Sequence, residues 1–88
     1  MASYKVIFKP SVEKDLQSLP RQVVKRAFRR IEMLKDGPVP RQSVKLSGAE
    51  QLYRIRVGEY RVVYGVDKAR MQVIIHHVRH RRDVYRQW

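Results

Sequence analysis

Arg54, Arg56 and Arg61 lie within one short segment, at spacings that could hold a polyanion. The segment reads Leu52-Tyr53-Arg54-Ile55-Arg56-Val57-Gly58-Glu59-Tyr60-Arg61-Val62-Val63-Tyr64. With Gly58-Glu59 as a two-residue type II′ turn, it is predicted to form a hairpin with Val57 opposite Tyr60 and Arg56 opposite Arg61. Side chains alternate across a strand, so this register sorts the hairpin into two faces. Tyr53, Ile55, Val57, Tyr60, Val62 and Tyr64 share an apolar, aromatic face. Arg54, Arg56 and Arg61 share the other, with Val63. Like charges side by side repel, and a bound polyanion would relieve that cost. A second basic cluster, Arg79-His80-Arg81-Arg82, precedes Tyr85 and Trp88. Cations with aromatic side chains are the elements of a single-stranded nucleic-acid site. Arginines around a phosphate can also stabilise the charge of a pentacovalent transition state. RNA brings its own nucleophile, the 2′-hydroxyl, so such a site could cleave RNA without a metal. The plainer reading is a solvated basic face paired with Glu50, Glu59 and Asp83. Spacing alone puts binding ahead of that reading, and catalysis behind both.

Global composition points the same way. The chain has 88 residues, with 20 Lys and Arg against 8 Asp and Glu, a formal net charge of +12. Of the 20 basic residues 13 are arginine, the residue suited to bidentate phosphate contacts. Nucleic acid, an anionic membrane surface or an acidic protein is the expected partner class. There is no cysteine, which excludes disulfides and cysteine metal sites and fits a reducing compartment. No apolar run approaches the length of a membrane span. The length fits one domain, residues 1–88.

Histidines offer a second route to chemistry. His76 and His77 are adjacent in a predicted strand, so alternation sends them to opposite faces, where they cannot easily share a metal. His80 lies in the basic cluster and is a candidate proton carrier. Few carboxylates accompany the histidines, so no metal site is expected. On a predicted helix, Lys25, Arg26, Arg29 and Arg30 form a basic flank. Such a flank is by default solvated, and Lys25 and Arg29 are its candidate RNA contacts.

These residues need elements to position them. Tyr4-Lys5-Val6-Ile7-Phe8 reads as a first strand. Pro10 or Ser11 opens a helix with Val12, Leu16 and Leu19 on one stripe. Pro20 ends it. A second helix is predicted from about Arg21 to Lys35, with Val24, Ala27, Phe28, Ile31 and Leu34 as its core stripe and Gly37 as its stop. Residues 36–50 read as a loop with a short ordered stretch at Val44-Lys45-Leu46. Strands follow at Leu52–Val57, Tyr60–Asp67 and Met71–Val78, then a short basic tail. The expected fold is α+β: strand, two-helix hairpin, three antiparallel strands, with helices on one face of a small sheet. The aromatic hairpin face must then meet the helices, which leaves the arginine face open.

The hairpin, together with Val78-Arg79-His80-Arg81-Arg82-Asp83-Val84-Tyr85-Arg86, resembles the RelE group of the RelE/ParE toxin superfamily. Phe8-Lys9-Pro10-Ser11-Val12-Glu13-Lys14-Asp15-Leu16 and Val44-Lys45-Leu46-Ser47-Gly48 match too, so the likeness covers nearly the whole chain. It implies a cytoplasmic type II toxin that cuts messenger RNA in the ribosomal A site by 2′-hydroxyl attack. It implies no cofactor and an acidic antitoxin partner, through which oligomers form. Arg54 and Arg56 match two basic positions that are often lysines in the family. Arg61 matches the arginine after the turn, Arg81 the arginine past the last strand and Tyr85 the tail tyrosine. Arg79 and Arg82 are expected RNA contacts. One departure matters. A lysine at the Arg54 position has been cast as general base, and arginine stays protonated. Arg54 is thus expected to clamp charge, leaving Tyr85, His80 or a ribosomal group to accept the proton and Arg81 or His80 to donate one. The alternative implied by the superfamily is a ParE-like, non-enzymatic gyrase inhibitor, since fold does not fix function.

Overall fold

The computed structural model describes residues 3–41, 43–47 and 51–80. Its elements, in chain order, are β1 (Lys5–Phe8), α1 (Pro10–Gln17), α2 (Arg21–Met33), β2 (Val44–Ser47), β3 (Leu52–Val57), β4 (Tyr60–Asp67) and β5 (Gln72–His80). The sheet order is β1-β5-β4-β3-β2. β1 runs parallel to β5, and the other neighbours are antiparallel. This is the expected α+β arrangement with one more strand. The short ordered stretch expected at Val44-Lys45-Leu46 is an edge strand, Val44–Ser47, paired with β3. Its Pro- and Gly-rich flanks disguise it, because a four-residue edge strand carries too little alternation to stand out.

Pro10 occupies the first turn of α1, where its missing N–H costs nothing. Pro20 is the N-cap of α2, and its carbonyl accepts the N–H groups of Val23 and Val24. α2 ends at Met33, and Gly37 does not adopt a left-handed conformation. Val12, Ala27 and Ile31 from the helices, with Leu34 at the C-cap of α2, meet Tyr53, Ile55, Val57, Val62, Tyr64, Val66, Val73, Ile75 and Val78 of the sheet. Tyr4, Val6, Leu16 and Leu19 pack around them. Tyr64 is fully buried, and its hydroxyl donates to the Pro38 carbonyl at 2.6 Å, tying the loop after α2 to the core. Burial pushes the Tyr64 phenol up to about 12, with Tyr53 adding and a Ser43 hydrogen bond opposing. Phe28 departs from the predicted stripe. It is 40% exposed and packs edge-on against Phe8, 39% exposed, with ring centroids 5.6 Å apart. Among the described residues, no helix is long and apolar enough to cross a membrane.

Candidate nucleic-acid interface

The Gly58-Glu59 turn sets the site. Gly58 has φ +61°, while Glu59 stays in the negative-φ half, the combination a type II′ turn requires. Val57 pairs with Tyr60 and Arg56 with Arg61, as the sequence predicts. β5 then extends the pattern, because Arg61 pairs with Arg79 and Val63 with His77. On the sheet face away from the helices, two rows result. Arg56, Arg61 and Arg79 form the first across β3, β4 and β5, and Arg54, Val63 and His77 form the second. Adjacent strands lie about 4.8 Å apart, so the outer members of a row are about 10 Å apart at the backbone, a span long arginine side chains can bridge.

This face is less open than alternation suggests. Arg56 is exposed, and its Nε donates to the Gly58 carbonyl at 3.1 Å. Arg54 and Arg61 are half-buried, with Arg54 Nε and Nη1 and Arg61 Nε closed off from solvent. Val63 is fully buried between Arg54 and His77 and forms an apolar floor. A desolvated guanidinium acts more strongly on a nearby anion than one in water. Arg79 is held rather than free. Its Nε lies 3.2 Å from Asp15 Oδ1, and its side chain is 23% exposed.

Asp15 was not a predicted site residue, yet it organises one side of the face. β1 ends opposite Ile75, which leaves the outer edge of β5 beyond that point without a strand partner. α1 covers this edge with two side chains one helical turn apart. The Ser11 hydroxyl donates to the His76 carbonyl at 2.8 Å. The Val78 N–H donates to Asp15 Oδ2 at 3.1 Å. Covering an edge in this way satisfies buried backbone groups and prevents another strand from adding there.

The same region overturns the expectation for the histidines. The register between β4 and β5 shifts at Val63/Tyr64, with Val63 opposite His77 and Tyr64 opposite Ile75. His76 is the extra residue of a β-bulge, which breaks strict alternation. Its Nε2 would lie 3.2 Å from a Cβ placed on Gly65, on the side of the sheet that carries Leu52 and Val63. His76 and His77 therefore occupy the same face. Even so, no group of three or more metal-ligating side chains occurs among the described residues. His77 Nδ1 is buried and lies 3.4 Å from Asp15 Oδ2. Burial, then the Arg79 charge, holds the His77 imidazole below the ordinary histidine range, with Asp15 opposing and Lys9 adding. His77 is thus neutral at pH 7.

Other predicted residues divide clearly. His80 pairs with Tyr60 and meets its ring edge-on, centroids 5.5 Å apart, on the face opposite the arginines. Strand alternation past the bulge puts it there, so it does not join the arginine rows. Arg29 lines a cleft at the hairpin turn with Arg26, Arg30 and Arg56. Lys25 is exposed on α2 and does not line that cleft. Arg81, Arg82 and Tyr85 lie outside the described residues. The readable signals for the missed residues were the two adjacent histidines, and Ser11 and Asp15 spaced four apart on a short helix.

Known proteins resemble this chain in sequence and fold. The family described as ParE toxin of type II toxin-antitoxin system, parDE, matches residues 6–85. RelE1 of Methanocaldococcus jannaschii is 35% identical over 85% of this chain and 87% of its own length. A solved archaeal RelE-RelB complex from Pyrococcus horikoshii OT3 is 36% identical, with TM-score 0.79 over 89% of this chain and 94% of that one. A variant of E. coli toxin RelE in the free state is 22% identical, with TM-score 0.80 over 96% of this chain and 92% of that one, and so shares the fold. The matched family bears the ParE description, whereas the named relatives carry the RelE name. With both matches spanning most of the chain, it belongs to the RelE/ParE superfamily of type II toxins, on the RelE side.

Proposed function

We propose that this toxin is a ribosome-dependent endoribonuclease that cuts messenger RNA in the A site. The observation that carries the reading is the row Arg56-Arg61-Arg79 beside Arg54, four guanidinium groups on one sheet face. In-line attack of the 2′-hydroxyl needs alignment of the sugar-phosphate and stabilisation of charge on the phosphoryl oxygens. Guanidinium groups suit both tasks, through bidentate geometry and permanent charge. The partly buried Arg54 and Arg61 grip the scissile phosphate, Arg79 is aimed by Asp15, and the exposed Arg56 guides the strand. Arg81, Arg82 and Tyr85 follow in the sequence and enter this proposal on the family resemblance. Lys25 and Arg29, on α2, are proposed contacts to ribosomal RNA.

The proposal includes an acidic antitoxin, since relatives of this fold were solved as RelE-RelB complexes. A net charge of +12 favours such a partner electrostatically. The test is a translation extract supplied with the purified toxin and read by primer extension. Cuts within codons on ribosome-bound messenger are expected, and they should disappear in Arg61→Ala/Arg79→Ala with the fold retained. Intact messenger together with blocked gyrase activity would replace this reading with the ParE-like one.

A further inference from the structure

Arg54 stays protonated and cannot accept a proton, and His80 lies on the opposite face of the sheet. The structure brings another group to the place where a base is needed. His77 shares a row with Arg54 across Val63 and sits diagonally from Arg61. Diagonal neighbours on one face of a sheet are about 7 Å apart at the backbone, within reach of long side chains. A phosphate over Val63 would therefore meet the arginines and the imidazole together.

The imidazole has a carboxylate at one edge. Asp15 Oδ2 lies 3.4 Å from Nδ1, and Nδ1 is buried. A carboxylate on that side favours the tautomer with its proton on Nδ1. The lone pair is then on Nε2, at the other edge of the ring. His77 is 20% exposed as a side chain, and that exposure excludes Nδ1. Asp15 is itself fixed by the Val78 N–H and by Arg79, so the carboxylate does not depend on His77 for its place.

We infer that His77, oriented by Asp15, is the general base of this toxin. The inference rests on the endoribonuclease reading and assigns its proton acceptor. His77 Nε2 takes the 2′-hydroxyl proton as O2′ bonds to phosphorus and the bond from phosphorus to O5′ breaks. O5′ leaves with the bonding electron pair and takes a proton from water, and the imidazolium returns its proton to solvent. The products are a 2′,3′-cyclic phosphate and a free 5′-hydroxyl. Asp15 is a positioning residue in this scheme. The charged groups around the imidazole are Asp15 from α1, Lys9 from the turn before it, Arg79 from its own strand and, across the face, Arg54 and Arg61.

The test is single-turnover cleavage of ribosome-bound messenger by the full chain as a function of pH, with His77→Gln and His77→Ala. Loss of a positioned base lowers the rate about 10²- to 10⁴-fold. His77→Gln should show that loss, keep ribosome binding, and lack the rise in rate at acidic pH that the parent shows. Added imidazole should restore part of the rate to His77→Ala, a response no purely structural role gives. Should either variant fail to fold, the parent alone decides: the acidic midpoint of its kcat/KM profile must coincide with the His77 titration followed by NMR in the free protein. Cleavage by the parent with an unchanged rate and profile in His77→Gln overturns the assignment and leaves the nuclease reading standing. So does a midpoint that departs from the His77 titration. Messenger left intact by the parent overturns the nuclease reading, and this assignment with it.

Discussion

Asp15→Ala tests whether one carboxylate holds the edge of β5 and the arginine row together. The side chain is 11% exposed and serves three groups: the Val78 N–H at 3.1 Å, Arg79 Nε at 3.2 Å and His77 Nδ1 at 3.4 Å. Removing it leaves the Val78 N–H at an edge that no strand covers. An unsatisfied buried donor costs about 1–3 kcal/mol. The ion pair with Arg79 adds less than a fully buried pair, because Arg79 can turn toward water, and about 1 kcal/mol is appropriate. The total is about 2–4 kcal/mol, or roughly 10–25 °C in Tm for a domain of this size. Asp15→Asn keeps an acceptor for the Val78 N–H and loses only the charge, so about 1 kcal/mol is expected. Calorimetry on the three proteins, with a double-mutant cycle against Arg79→Ala, separates the two contributions. If Asp15→Ala melts with the parent, or no more than Asp15→Asn does, the edge-capping argument is wrong.

Other perturbations have signs that the structure sets. Arg61→Gln should weaken single-stranded RNA binding and reduce the slope of log K against log salt by about 0.7, the share of one phosphate contact, as measured by fluorescence anisotropy in a salt series. Gly58→Ala places a Cβ at φ +61° and should destabilise by about 1 kcal/mol in urea titrations, with little steric penalty because Arg26 Nη1 would be 3.8 Å away. His77 has a folded-state value below its unfolded one, so between the two the unfolded chain binds more protons. Its contribution to stability is therefore full above the unfolded value and is lost as pH falls through the depressed one. Urea titrations at several acidic pH values should show a shallower pH dependence in His77→Gln. Tyr64 should be among the last tyrosines to ionise in an ultraviolet titration, near pH 12, and its raised value makes stability fall above pH 10 as the unfolded chain releases that proton first.

Much of this arrangement is local and therefore readable along the chain. Gly58-Glu59 specifies a turn that only one short-range geometry satisfies, and the turn dictates the register from Val57/Tyr60 to Leu52/Gly65. That register alone put Arg54, Arg56 and Arg61 on one face and the tyrosines on the other. The helices were legible from apolar spacing, apart from Phe28. It lies on the same stripe as Ala27 and Ile31, but its outward position against Phe8 depends on where α2 crosses the sheet.

What the chain could not reveal by itself depends on contacts between distant segments. The fifth strand exists because Val44–Ser47 finds the free edge of β3, a pairing that four residues do not announce. Arg79 joins the row because β5 pairs with β4, and the bulge at His76 then decides which residues face the arginines. One extra residue reverses the strand's parity, so it brings His77 in and sends His80 to the far side. Asp15 is 63 residues from Val78 in sequence, and only the packing of α1 against the end of β5 makes it an acceptor there. Short-range sterics and charge thus determined a cationic hairpin face. Long-range pairing decided which residues complete it, because register and edge contacts are properties of two segments and are written in neither alone.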